Sequence, residues 1–130
     1  MIDEIIQKFE HFSDAIILQI QYKVSVGNPN AKGDVEAIIR CSNSQNEYAY
    51  EIIKLIFIDV LKFRFIEHET TSSTVITWAL IQIDSDSILF DFFPILYSTT
   101  GVENNESDFL VRCLKVKYEK LEQYEEFYFL

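Results

Sequence analysis

The chain has 130 residues, 48% apolar, 15% aromatic and 25% charged, a composition that suits one globular domain with a real core and leaves no room for a second full one. Such a length buries roughly two-thirds of the surface exposed by the unfolded chain, so residues 1–130 are expected to fold as a single domain without disulfide staples or a structural metal. Eleven Lys and Arg against twenty-one Asp and Glu give a net charge of −10, which opposes counterion-release binding to nucleic acid and attraction to anionic lipid.

In chain order, Ile2, Ile5, Ile6 and Phe9 recur at helical spacing and predict a short N-terminal helix. From Ala15 to Val26 the apolar Ile16, Leu18, Ile20, Tyr22, Val24 and Val26 alternate with Gln19, Gln21, Lys23 and Ser25, the period of a strand with one wet face. The turn-forming run Gly27 to Gly33 then leads into a second alternating stretch, Val35 to Cys41, so the two read as a hairpin. After the polar Ser42 to Glu47, Tyr50 to Val60 is a nearly continuous apolar run, expected to be a strand covered on both faces.

A bend is expected near Asp59 to Leu61, after which Phe63 and Phe65 continue as strand up to the polar Glu67 to Ser73 segment. Thr74 to Ile83, rich in β-branched residues and holding Trp78, predicts a strand that the Asp84-Ser85-Asp86-Ser87 turn connects to Ile88, Phe90 and Phe92, ending at Pro94. Tyr97 to Ser107 reads as an acidic surface loop. Asp108 to Tyr118 reads as a last strand whose alternation switches face around Cys113, where a bulge is expected. Tyr118, Leu121, Tyr124 or Glu125, and Tyr128 repeat at roughly helical spacing and suggest a terminal helix. The expected fold is therefore mainly β: a six- or seven-stranded antiparallel meander curled as an open barrel or sandwich, with a short helix at the N-terminus and a second at the C-terminus.

Catalytic signals are sparse. Gly27, Gly33 and Gly101 cannot compose a phosphate cradle, and no serine has glycines two positions to either side. Cys41 and Cys113 lie far apart with no CxxC spacing, so they read as reduced core thiols. His11 stands three residues before Asp14, and Glu67, His68 and Glu69 are consecutive. In an extended segment His68 points away from its two carboxylate neighbours, so neither group composes a metal or acid-base site, and no catalytic residue, metal or cofactor is expected.

No apolar run approaches the eighteen or so residues of a membrane span, and Asp3 and Glu4 follow Met1 where a signal peptide carries positive charge. A cytoplasmic protein that engages neither membrane nor nucleic acid is the expectation. Glu103, Glu106 and Asp108 border the acidic loop and are the candidate partner-binding residues, placed to steer a basic protein toward the surface. Tyr124, Phe127, Tyr128, Phe129 and Leu130 crowd the C-terminus and must dock somewhere, on the end of the chain's own sheet or in a homodimer contact. Trp78, Phe90, Phe92 and Phe93 fit core positions better than a ligand cage.

The run Phe12-Ser13-Asp14-Ala15 leading into Ile16, Leu18, Ile20 and Tyr22, followed by Leu55, Phe57, Val60, Phe63, Arg64 and Phe65, resembles small acidic bacterial proteins grouped with the immunity proteins of polymorphic toxin systems. In that group a histidine often precedes the Asp-Ala pair, where this chain has Ser13. The resemblance implies a single-domain, non-enzymatic cytoplasmic protein that binds a cognate toxin domain and blocks its active site. Acidity suits that role, because carboxylates can occupy a basic groove where substrate phosphates would lie. The alternative from another class is a small-molecule-binding or enzymatic open β-barrel with an aromatic-lined cavity, bearing His11, Asp14 or His68 at its mouth.

Overall fold

The structure, a computed structural model, describes residues 1–28, 30–70, 73–94 and 107–122. Its elements are helix α1 (Ile2–Phe9) and strands β1 (Ala15–Lys23), β2 (Asp34–Asn43), β3 (Ala49–Phe65), β4 (Val75–Ile76), β5 (Leu80–Ile83), β6 (Ile88–Asp91) and β7 (Phe109–Lys120), with one 3₁₀ turn at Ser44–Asn46. All seven strands pair antiparallel in the order β4-β1-β2-β3-β7-β6-β5, and the sheet curls into an open half-barrel, the mainly β architecture that the alternating pattern predicts. Neighbours in sequence pair within β1-β2-β3 and within β5-β6-β7. The remaining contacts, β3 with β7 and β4 with β1, join these two runs and extend one edge.

Helix α1 carries Asp3 and Glu4 in its first turn and Lys8 in its last, complementing the helix dipole, and it buries Ile5 and Phe9 against β2 and β7. Glu10, Phe12 and Asp14 then take left-handed φ values of 52°, 56° and 61°. For a bulky side chain this conformation costs on the order of 1 kcal/mol or more. The sharp turn drops Phe12 into the core, where its ring meets Phe90 at 6.4 Å and Phe92 at 6.1 Å and burial offsets the strain. Phe57 and Phe109 complete this aromatic cluster, Phe92 stacking on Phe109 at 4.4 Å and Phe57 meeting Phe90 edge-on at 5.1 Å.

The bend expected near Asp59 is present. Asp59 adopts φ 57°, its amide donates to Asp34 Oδ1 at 3.0 Å, and the Val60 amide donates to Gly33 O at 2.8 Å. The ladder to β7 slips between Val60 and Lys62, so the extra residue, Leu61, belongs to β3 and not to β7. Across this point the inward positions change from Leu55 and Phe57 to Val60 on β3, and from Val116 to Cys113 on β7, which accounts for the switch of face read in the sequence.

Four expectations need correction. Thr74 to Ile83 is two strands at opposite edges of the sheet, because Val75–Ile76 pairs with β1 while Leu80–Ile83 pairs with β6. Between them Ala79 is buried, with its amide donating to His11 O at 2.6 Å, and Trp78 is half-buried against the His11 ring instead of lying in the core with Phe90 and Phe92. Pairing of β1 stops at Lys23, short of Val26. Tyr118 to Lys120 continue β7 and are not helical, since Tyr118 pairs with Leu55 and the Leu121 amide reaches Ile52 O at 2.9 Å. Tyr124, Phe127, Tyr128, Phe129 and Leu130 lie outside the described residues.

Truncating Phe92 to Ala should destabilise the fold by roughly 3–5 kcal/mol, the usual cost of emptying an aromatic core position, whereas Val26→Ala on the exposed turn should stay within about 0.5 kcal/mol. Urea unfolding followed by tryptophan fluorescence measures both.

Candidate functional site

The half-barrel is open along one flank. Beyond Val60, β3 pairs with β7 alone, because β2 begins opposite Phe57. The curl of the sheet carries this free half of β3 over toward β1, and Tyr22 stacks on Phe63 with the rings 6.1 Å apart and 2° from parallel. Close approach requires glycine underneath: a Cβ on Gly33 would lie 2.6 Å from Lys23 O and 2.7 Å from the Tyr22 hydroxyl.

Between the two strands runs an open groove of about 520 Å³ lined by Ile17, Leu18, Gln19, Ile20 and Tyr22 on one wall, by Phe63, Phe65 and Glu67 on the other, and by Thr74 beside Ile17 at the β4 end. A second depression of about 450 Å³ continues it past Tyr22 and Phe63 along Val60, Leu61 and Lys62. Phe63 and Phe65 brace the floor by edge contacts to the buried Phe109 at 6.5 and 5.4 Å. Glu67 is the carboxylate in the lining, held by the Ser73 amide, which donates to its Oε1 at 2.9 Å. The surface is therefore mostly apolar with a few polar groups at one end.

Around the end of β3 a polar knot ties the neighbouring strands. Asp91 is fully buried, and its Oδ1 accepts from Ser107 Oγ at 2.6 Å and from the Phe93 amide at 3.1 Å. The Phe109 amide donates to Ser107 Oγ at 3.3 Å, and Arg64 Nε donates to Ser107 O at 2.8 Å. Ser107 thus joins β6, β3 and β7 instead of presenting a nucleophile to a histidine.

Of the sequence-predicted partner residues, Asp108 is described and its Oδ2 accepts a hydrogen bond from His68 Nε2 at 2.9 Å. Glu103 and Glu106 lie outside the described residues. Both histidines are exposed. His11 Nδ1 stands 3.1 Å from Ala79 O, so that nitrogen carries the proton and the ring is a surface tie to the β4–β5 connection. Asp14 is exposed in the turn before β1. The structure brings none of His11, Asp14 and His68 into the groove lining. Among the described residues no group of three or more His, Cys, Asp or Glu is placed to hold a metal ion.

The thiols of Cys41 and Cys113 are buried and free, and burial pushes each up to about 12, away from the thiolate that nucleophilic chemistry requires. Elsewhere the charges serve the fold. The Glu36 carboxylate is held below the ordinary range chiefly by Lys23, with Lys54 at 3.4 Å on its other oxygen. Tyr118 links Lys8, which donates to its hydroxyl at 2.6 Å, to Glu4, which accepts from it at 2.9 Å.

The groove residues Tyr22, Phe63 and Phe65 were visible in the sequence as alternating strand positions. What marked them as a site was the bend at Asp59, which sets the two walls face to face. Compared with family models, curated proteins and solved structures, the chain matches none.

Three outcomes follow from the polar groups. Ser107→Ala removes a hydroxyl donor from a buried carboxylate and should destabilise the protein by about 1–3 kcal/mol in urea titration. Cys41 and Cys113 should resist a disulfide reagent in the native state. Because the folded thiols keep protons that the unfolded chain loses near pH 9, unfolding free energy should fall as pH rises from about 9 toward 12, as equilibrium unfolding across that window would register.

Proposed function

We propose that this chain is a non-enzymatic, cytoplasmic protein-binding module for a positively charged partner, and that its particular form is an immunity protein neutralising a toxin domain. The observation that carries the binding reading is the groove between β1 and the far half of β3, which is open along its length, apolar on both walls and apart from the two histidines. Open apolar surface rimmed by polar groups marks interaction sites on soluble proteins. The net charge of −10 favours fast encounter with a cationic partner. The toxin-neutralising form is supported by that acidity and by the resemblance carried by Phe12 to Tyr22 and Leu55 to Phe65.

The groove volume of about 520 Å³ also favours a second reading, a small apolar ligand, since ligand sites span roughly 300–1,000 Å³. Among the described residues no helix is long and apolar enough to cross a membrane.

Affinity capture with the tagged full chain from lysate of the cells that encode it, at low and moderate salt, separates the readings. A stoichiometric basic protein released as salt rises is the expected result, and its toxicity should be relieved by co-expression of this chain. An apolar small molecule that co-purifies without any protein overturns the protein-binding reading. With the partner in hand, replacing Glu103, Glu106 and Asp108 by Lys should slow association by about tenfold while leaving dissociation nearly unchanged. Unchanged association kinetics would remove those residues from the surface.

A further inference from the structure

We infer that the partner binds by strand addition: an extended, positively charged segment lies along β1 between Leu18 and Lys23 and turns its apolar side chains into the groove. The inference rests on the protein-binding reading and specifies its mode. Strand β4 has two residues and covers Ala15 and Ile16 alone, with the Ile17 amide reaching Thr74 O just beyond them. From Gln19 to Lys23 the ladder partners among the described residues are those of β2, and no described residue pairs with the other flank of the strand, the arrangement of a sheet edge.

Sheet edges are ordinarily guarded by charge, proline or extreme shortness. This one is not. From Ala15 to Lys23 there is no proline, and the one charged side chain, Lys23, is ion-paired to Glu36. The irregularity between Ile17 and Gln19 is the remaining guard, and it sits at the end already covered by β4. Past Lys23 the strand alternation runs on into Val24 and Val26, which are 68% and 91% exposed. Across the groove, the ladder partners of β3 beyond Val60 among the described residues are those of β7. Two strand flanks that pair with no described residue, facing one apolar trough, fit a peptide in extended form.

Charge selects among extended peptides. A second copy of this chain would bring another −10 to the same edge, and that repulsion opposes a homodimer. A segment with alternating Val-like and Lys-like residues meets the opposite net charge, with Glu67 at one end of the trough and Lys62 in the depression that continues it. A small apolar ligand would fill the trough and leave the strand flank without hydrogen bonds to protein.

The test is amide hydrogen exchange on the full chain with a synthetic ten-residue peptide alternating Val and Lys, beside its Val and Glu counterpart. Exchange at amides within Leu18–Lys23 should slow by about tenfold or more with the cationic peptide and stay unchanged with the anionic one. Gln19→Lys together with Gln21→Lys, both at exposed positions, installs the missing guard. It should weaken peptide binding by about tenfold at an unchanged melting temperature. No slowing at millimolar peptide, protection confined to β5 or another surface, or concentration-dependent dimerisation through β1 overturns the inference. A captured basic protein that protects a different surface would overturn strand addition and leave the protein-binding reading standing, whereas capture of an apolar ligand alone would remove both.

Discussion

The left-handed conformation of Asp59 is the constraint on which the rest of the molecule depends. Strand β3 is seventeen residues long, about 56 Å if it ran straight at roughly 3.3 Å per residue, far longer than a chain of this size can cover. Turning it at Asp59, with Leu61 as the extra residue, lets one strand serve two neighbourhoods. Its first half pairs with both β2 and β7, and its second half pairs with β7 alone. The Asp34 side chain and the Gly33 carbonyl hold the turn by accepting from the Asp59 and Val60 amides, so the start of β2 and the bend of β3 define each other. Asp is among the few residues that tolerate this backbone region at modest cost.

From that turn both the core and the groove follow. Phe57, just before the bend, points into the aromatic cluster with Phe12, Phe90, Phe92 and Phe109. Phe63 and Phe65, just after it, touch the same Phe109 from the side and line open space. A straight β3 would continue toward solvent and leave Tyr22 with no ring to stack on. The curl also explains why the sheet stays a half-barrel: β4 is too short to bridge from β1 to the returning end of β3, and what is left between them is the trough.

Much of this was legible in single residues. The polar Gly27 to Gly33 connection and the switch of face near Cys113 each reflect a local rule, because side chains on a strand must go in or out in turn. The alternation of Ile16 to Tyr22 marks the strand but not its inward face, since Ala15 and Ile17 are buried, Ile16 is exposed and the register shifts between Ile17 and Gln19. Thr74 to Ile83 departs from the single strand its pattern predicts for a physical reason. Its β-branched residues do favour strand, but the buried Ala79 and its bond to His11 O break the run, and which edge each half joins is set by the turn at Phe12 some sixty residues earlier. No local pattern encodes a pairing between such distant segments. The groove escaped for the same reason, since Tyr22 and Phe63 are forty-one positions apart and meet only once the sheet is curled.

Acidity and apolarity divide the work of recognition in different ways. Charge spread over a surface acts at a distance of about a Debye length, roughly 8 Å at physiological salt, and governs how fast a partner arrives. It does not hold the partner once there. Retention requires desolvated apolar contact and satisfied backbone groups, and in the described part of this molecule those two coincide along β1 and the trough beneath Tyr22, Phe63 and Phe65. The polar ties elsewhere, Lys23 to Glu36, His68 to Asp108 and Ser107 to Asp91, are already engaged within the fold. Partner contacts at those places would first have to displace them, whereas among the described residues the flank of β1 from Gln19 to Lys23 has no ladder partner to displace, and that difference is the physical reason to look for the partner there.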